Sequence, residues 1–426
     1  DWDSRLGPPH SYSYPSIGAS AVLSDLISLP EAISFLKLSA NYASVGNGGQ
    51  PQLLNATYSY SQGSGNGFLH RGTTLPFPDL KPEIVRNIEA GLEARFAANR
   101  IGFTFTYYKS NSHNQLLELS MPAATGYTSK YINAGNIQNQ GIELVVNGTP
   151  IQNKNFTWEV TFNLGMNRNK IKSLDQDVSA VYLSGEGRSG TPIVKVGGSY
   201  GDLLAYQWER NDKGQFVLLP NGRPLTTDIT VGEQGYVGNF NPKATLGFTN
   251  TFEYKRLFAK ILLDGRAGGV IISGTEMNLA FSGITEATAQ YRDDESWNLG
   301  GVDADGNAVN AKINAQQFWQ TASGKRYGVG EFFTYDATNF RIRELSFGYN
   351  IPVSAKMFIK NAKLSFVARN LAWIYRGKST LDIPGLGKRT MWFDPDMSLG
   401  NSNFQGIEYG TLPSTRTLGF NLTLNF

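Results

Sequence analysis

Three stretches carry residue types at spacings that chemistry uses. Gly185, Gly187 and Gly190 in GEGRSG have the G-x-G-x-x-G spacing that lets a backbone approach a pyrophosphate. That chemistry needs a strand before the glycines and a helix after them. Here Thr191-Pro192 and the largely β-branched Ile193-Val194-Lys195-Val196 follow, so these are read as loop glycines and no nucleotide cofactor is expected. Asp303 to Asn307 (DADGN) has the opening of a calcium loop, but the glutamate such a loop carries at position 12 is Asn314 here. A solvated turn is expected. Asp293, Asp294 and Glu295 are carboxylates of the kind that hydrolyse glycosides, a reaction that needs two of them at a fixed separation across a sugar. Adjacent residues in one loop do not establish that separation. His10, His70 and His113 lie far apart and cysteine is absent, which excludes a local histidine motif and any thiolate site. No catalytic or metal-binding constellation results, and the sequence does not read as an enzyme.

Aromatic residues in long polar stretches offer a different chemistry. Tyr206, Trp208, Trp297, Phe318, Trp319, Trp373 and Trp392 could stack on sugar rings or a peptide. They could equally pack against one another or sit at an interface, which Trp and Tyr favour on their own account. As candidate substrate contacts we single out Tyr206, Trp208, Trp297 and Trp319, with polar neighbours placing Trp208 (AYQWER) first. Arg341 and Arg343 are candidates for a wet inner surface.

The elements that must position these residues are strands. Charged residues are only 17%, yet no apolar run approaches the length of a membrane helix, about 20 residues. The 47 glycines, 20 tyrosines and 25 phenylalanines suit tight turns and aromatic girdles. A net charge of +3 with no basic cluster gives no reason to expect nucleic acid. At the carboxy terminus Leu418, Phe420, Leu422, Leu424 and Phe426 alternate with Gly419, Asn421, Thr423 and Asn425. About 9–11 tilted residues of this pattern cross a bilayer. The same alternation recurs at 16–24, 35–44, 87–96, 101–107, 142–149, 156–167, 244–254, 257–267, 340–350 and 363–371, giving eleven strands. In FRIRELSFGY the apolar phase slips between Ile342 and Leu345, which predicts a bulge.

Connections alternate between short (25–34, 97–100, 150–155, 255–256, 352–362) and long (45–84, 110–140, 171–243, 270–339, 373–414). Outer-membrane barrels sort their turns and loops in this way. The predicted fold is therefore all-β, a transmembrane antiparallel β-barrel. Eleven strands are half of the 22 found in plugged outer-membrane transporters. Residues 1–20 lack a basic region and apolar core of the signal-peptide kind, so the chain is expected to be part of a longer protein or one half of a split one.

LKPEIVRNIEAGL (80–92), YINAGNIQNQGIEL (131–144), FRIRELSFGYNIP (340–352), ARNLAWIYRGKS (368–379) and SLGNSNFQGIEYGTLPSTRTLGFNLTLNF (398–426) resemble the carboxy-terminal part of the SusC/RagA family of TonB-dependent outer-membrane transporters of Bacteroidetes. The similarity runs from about Asp1 to Phe426. AWIY after ARNL and the long LDIPGLGKRTMWFDPD stretch depart from the family pattern in the loops. The resemblance implies a 22-stranded barrel of which residues 1–426 are the carboxy-terminal part, the plug and amino-terminal barrel half lying outside this sequence. It implies active import of oligosaccharides or peptides, energised through TonB, under a SusD-like surface lipoprotein that the 171–243 and 270–339 loops would contact. Outer-membrane lipid surrounds such a barrel, and some family members pair two barrels. Phe420, Leu422, Leu424 and Phe426 resemble the terminal signal for outer-membrane assembly. A passive porin, or a barrel anchoring a surface assembly, is the alternative function.

Overall fold

Residues that alternate in polarity cannot bury both faces, and the fold shows how each face is used. The computed structural model describes all residues except 1, 2, 4, 9, 50, 64, 175–177, 184–188, 228–232, 294–295, 325–327, 354–357 and 399–404, and leaves aside the side chains of Ser120, Ala123 and Ala134. Among the described residues, eleven strands follow chain order along one sheet. They are β1 (Ser16–Val22), β2 (Ile33–Asn47), β3 (Glu83–Phe96), β4 (Ile101–Ser120), β5 (Ser129–Gln152), β6 (Phe156–Ser173), β7 (Ala244–Tyr254), β8 (Leu257–Ala267), β9 (Asn339–Ile351), β10 (Asn361–Arg376) and β11 (Thr417–Asn425). The number matches the alternation, and β7 and β8 start and stop at the residues expected. Thr74–Leu75 adds a short parallel pairing to Ser129 and Lys130 off this path. No helix of the described residues is long and apolar enough to cross a membrane.

The chain divides into two compact units. One comprises Asp1–Val146, Gly165–Val181 and Val194–Tyr200; the other comprises Asn147–Leu164, Tyr182–Ile193 and Gly201–Phe426. In the first, Ala21, Leu38, Leu92 and Phe105 stand side by side across β1 to β4, and Ala19, Ala40, Ala90 and Tyr107 form the next row. The other face is polar. Asn41 donates to the Glu89 carboxylate at 3.1 Å. Asn167 and Asn169 both donate to the Asn139 side-chain oxygen, at 3.2 and 3.0 Å, and Tyr108 donates to that of Asn167 at 3.2 Å.

The expected long loop at 110–140 is corrected here. β4 runs on to Ser120 and β5 begins at Ser129, so only 121–128 connects them. Alternation is blind to this extension because His113, Asn114, Gln115, Asn133, Asn136 and Gln138 are polar on both faces. Backbone pairing holds it instead, as at Ile84 opposite His113, aided by an Asn111–Asn136 amide bond of 2.8 Å.

In the second unit, Phe252, Ala259, Phe347, Phe366 and Phe420 form one cross-strand row, and Tyr254, Leu257, Tyr349, Leu364 and Leu422 the next. Tyr254, Phe347, Tyr349 and Phe420 stay bare, Phe420 being 79% exposed, as lipid-facing positions of a barrel are. Phe258 lies across Gly348, its strand partner, where an added Cβ would come within 2.4 Å of the ring and 2.5 Å of the Leu364 carbonyl oxygen. The predicted bulge is present: Leu262 faces Glu344, Leu263 faces Ile342, and Arg343 is the extra residue.

The long connections of this unit fold on themselves. Val270–Ser273 pairs antiparallel with Thr334–Asp336 and parallel with Ile407–Glu408. Helices α1 (Gly274–Phe281) and α2 (Ala315–Ser323) follow in the same loop. Ser273 and Asn314 cap them by accepting from the N–H groups of Glu276 and Gln317, which supplies partners the first turn otherwise lacks. Gly324 closes α2 in the left-handed conformation at φ 54°, which glycine adopts without a Cβ penalty. Ile271, Tyr335, Ala337 and Met391 are completely buried in one cluster.

Candidate functional site

The four aromatic residues singled out as substrate contacts prove to be the core of this loop assembly. Trp208 is 1% exposed. Its ring stacks on Phe216 at 3.9 Å and on Phe332 at 5.6 Å, and its ring N–H donates to the Val217 carbonyl at 2.9 Å. Tyr206 is buried alongside, its carbonyl accepting from the Glu331 N–H at 3.2 Å. Trp297 stacks on Tyr291, meets Phe318 edge-on at 4.6 Å and donates to the Pro384 carbonyl at 2.9 Å. Trp319 meets Phe318 edge-on at 5.1 Å and is equally buried. The expected stacking platform is therefore corrected to a packed core. Aromatic rings bury 150–250 Å² each, and a loop assembly with no sheet sandwich of its own gains its stability from that area. Trp392 differs: it is 47% exposed.

This core surrounds a buried polar cluster. Ser273 at the start of α1 donates to the Glu408 carboxylate at 2.7 Å. One turn on, Glu276 accepts from the Tyr335 hydroxyl at 2.5 Å and from Arg389 Nε at 3.0 Å. Arg389 Nε also lies 3.3 Å from the Tyr335 oxygen, and Nη2 donates to the Phe332 carbonyl. Burial pushes the Tyr335 phenol well above its ordinary value, and the Glu276 charge adds to the rise; the phenol remains a donor. Burial opposes the charge on Arg389, but Glu276 and Tyr335 more than offset it and the guanidinium stays charged.

Among the described residues, Arg389 Nη1 and Thr285 Oγ1 are buried without a hydrogen-bond partner. Both residues line a cavity of about 480 Å³, together with Glu276, Glu286, Leu386 and Trp392 among others. This volume lies in the range of roughly 300–1,000 Å³ usual for small-molecule sites. Nothing in sequence marked the cluster, because Glu276, Tyr335 and Arg389 are brought together across more than a hundred residues.

Arg341 and Arg343, candidates for a wet inner surface, are ion-paired at the bulge. Arg341 is 3% exposed and contacts Asp264 at 3.1 Å, Asp394 at 2.6 Å and Asp396. Arg343 reaches Asp264 at 2.6 Å and Asn370 at 3.0 Å. The bulge turns both cations toward the same carboxylates, tying β8 and β9 to the 377–416 connection. Of the other stretches, Gly190 serves close packing, since a Cβ there would lie 2.4 Å from Ile272; Gly185, Gly187, Asp294 and Glu295 fall outside the described residues. Asp303 closes a turn, its carboxylate accepting from the Asp305 and Asn307 N–H groups at 3.0 and 2.8 Å. Among the described residues no group of three or more histidine or acidic side chains is placed to hold a metal ion.

Strands that bare one apolar face, follow chain order and carry folded loops at their ends define part of an outer-membrane β-barrel. A family model described as TonB dependent receptor-like, beta-barrel matches residues 9–371, and the chain belongs to that family. It is similar to TonB-dependent receptor P3 of Formosa agariphila, 26% identical over 368 residues, which cover 82% of this chain and 34% of the relative. It is also similar to TonB-dependent receptor SusC of Bacteroides thetaiotaomicron, 24% identical over 286 residues, or 64% of this chain and 26% of SusC. Among solved structures, the RagAB peptide transporter shares the fold with a TM-score of 0.75 at 19% identity, over 99% of this chain and 44% of that one. The chain thus spans less than half the length of these relatives.

Proposed function

We propose that this chain forms wall and outer loops of an importer that brings oligosaccharides or peptides across the outer membrane. In this reading the chain is the carboxy-terminal part of a 22-stranded barrel. TonB supplies the driving force through a plug in the rest of the transporter, and a SusD-like surface lipoprotein covers the outer face. The observation that carries the reading is the family match, extending from residue 9 to residue 371. The RagAB peptide transporter, whose fold the chain shares, is named for a peptide cargo, which supports that cargo class. The folded connections at 171–243 and 270–339 are the surfaces we assign to the lipoprotein, and Phe420, Leu422, Leu424 and Phe426 to barrel assembly.

The test is mass spectrometry of the complex purified in detergent from native outer membranes. A plug and a surface lipoprotein travelling with this chain support the importer. This chain with neither, conducting ions in planar bilayers without TonB, refutes it and leaves a passive pore.

A further inference from the structure

We propose that the outward face of β3 to β6 docks phosphate-bearing lipid of the outer leaflet through Arg86, Lys109, Arg168 and Lys170. The proposal rests on residence in the outer membrane and is independent of cargo and of TonB.

The first ground is the sorting of charge between the two faces. Glu89 stands opposite Tyr108, and Tyr108 donates to Asn167 at 3.2 Å, which sets these residues on the polar face. Their neighbours Lys109 and Arg168 therefore turn outward at one level, with Lys170 the next outward residue of β6. Arg86 lies opposite Asn111, one row beyond the pairing of Ile88 with Lys109. All four cations are exposed. Carboxylates of the same strands alternate onto the polar face instead. There Glu83 and Glu89 accept from Asn47 and Asn41 at 3.1 Å, and Glu93 accepts from Arg95 at 2.9 Å. A face that gathers cations while these acids point the other way favours an anion.

The second ground is height. Ile101, Phe103, Phe105 and Tyr107 hold the outward face of β4 up to Lys109. From Ile101 to Lys109 the strand covers about 26 Å. At a tilt of about 35–45° it rises about 20 Å, close to the apolar band of a barrel, about 25 Å tall. On β6, Met166 gives way to Arg168 in the same manner. Both strands run toward the connections at 121–128 and 174–243, the side that faces outward in a barrel of this kind. Long cationic side chains at that rim lay their stems on apolar surface and carry the charge into the headgroup layer. Phosphate oxygens accept from both ammonium and guanidinium there.

The third ground is the surface just beneath. Ala19, Ala40 and Ala90 share the row of Tyr107 and leave a hollow of about 640 Å³ bordered by Leu38 and Leu92. An acyl chain fills this apolar hollow while its headgroup meets the cations above. A soluble anion has no use for it, so the occupant is a lipid.

The complete transporter, purified in detergent from native outer membranes, is titrated with monophosphoryl lipid A and with the same lipid freed of its phosphate. Bound lipid is counted by native mass spectrometry. The parent is compared with a neutralised variant combining Lys109→Gln, Arg168→Gln and Lys170→Gln. A charge-keeping variant combines Lys109→Arg, Arg168→Lys and Lys170→Arg. A control removes three exposed loop lysines by Lys213→Gln, Lys312→Gln and Lys388→Gln. Heat-modifiable migration on a gel verifies that each is folded. One cation at an anionic lipid surface is worth about fivefold in binding, so the neutralised variant should bind the phosphorylated lipid about twentyfold more weakly or worse. The charge-keeping variant and the loop control should stay within about threefold of the parent. Lys109→Gln alone, expected at about fivefold, carries the test if the triple variant fails to fold. Three results overturn the proposal: equal binding of the two lipids by the parent, unchanged binding in the neutralised variants, or an equal loss in the loop control.

Discussion

Replacing Trp208 by alanine separates a core residue from a ligand platform. Truncating a fully buried aromatic ring costs about 3–5 kcal/mol. Trp208 sits at the upper end of the conditions for such a loss, being 1% exposed, stacked on both Phe216 and Phe332, and hydrogen-bonded through its ring N–H. At about 1.4 kcal/mol per decade, local opening of the loop assembly becomes roughly 10²–10⁴-fold more frequent. Hydrogen exchange followed by mass spectrometry reads this at the Leu225 N–H, which donates to the Val217 carbonyl at 3.0 Å, and at the Glu331 N–H, which donates to that of Tyr206 at 3.2 Å. Trp208→Phe keeps the stack and removes only the ring N–H. Because the Val217 carbonyl still accepts from Leu225, nothing buried is orphaned, and about tenfold or less is expected. Exchange in Trp208→Ala that stays within about tenfold of the parent, alongside abolished cargo binding, would refute the core assignment and return the ring to a ligand.

Arg341→Met leaves Asp394, whose side chain is 4% exposed, as a buried charge without its cation. A loss of about 3–5 kcal/mol is expected in a denaturant titration, partly recovered by adding Asp394→Asn; no recovery counts against the pairing as the cause. Gly348→Val drives a side chain into the Phe258 ring and the Leu364 carbonyl, so folded, heat-modifiable barrel should fall sharply on a gel, and Gly348→Val with Phe258→Ala should recover only part because the carbonyl stays. Phe426→Asp, or deletion of Phe426, should lower outer-membrane levels through failed assembly; unchanged levels by immunoblot would end that assignment.

How much of this was legible in the sequence depends on the range of the interactions. Alternation is a two-residue signal, and it placed β7, β8, the bulge at Arg343 and the eleven-strand count. It failed from 110 to 140, where polar side chains on both faces leave no period and the backbone ladder holds the strand. The aromatic residues were visible as types, but only tertiary packing decides whether Trp208 faces a ligand or Phe332. Glu276, Tyr335 and Arg389 lie on three separate segments, which no local pattern can join.

The amide groups of Asn139, Asn167 and Asn169, with the Tyr108 hydroxyl, make most of their bonds with one another. Each can both donate and accept, and none carries charge. A hydrated solute moving along that face can trade one such bond for the next, or for water, at nearly equal cost. It meets no single deep resting place, and its dwell time at any one residue is short. Passage requires sites that are favourable enough to enter and weak enough to leave. Amides bonded to one another in this way would offer a passing solute many weak sites of similar depth rather than one deep one.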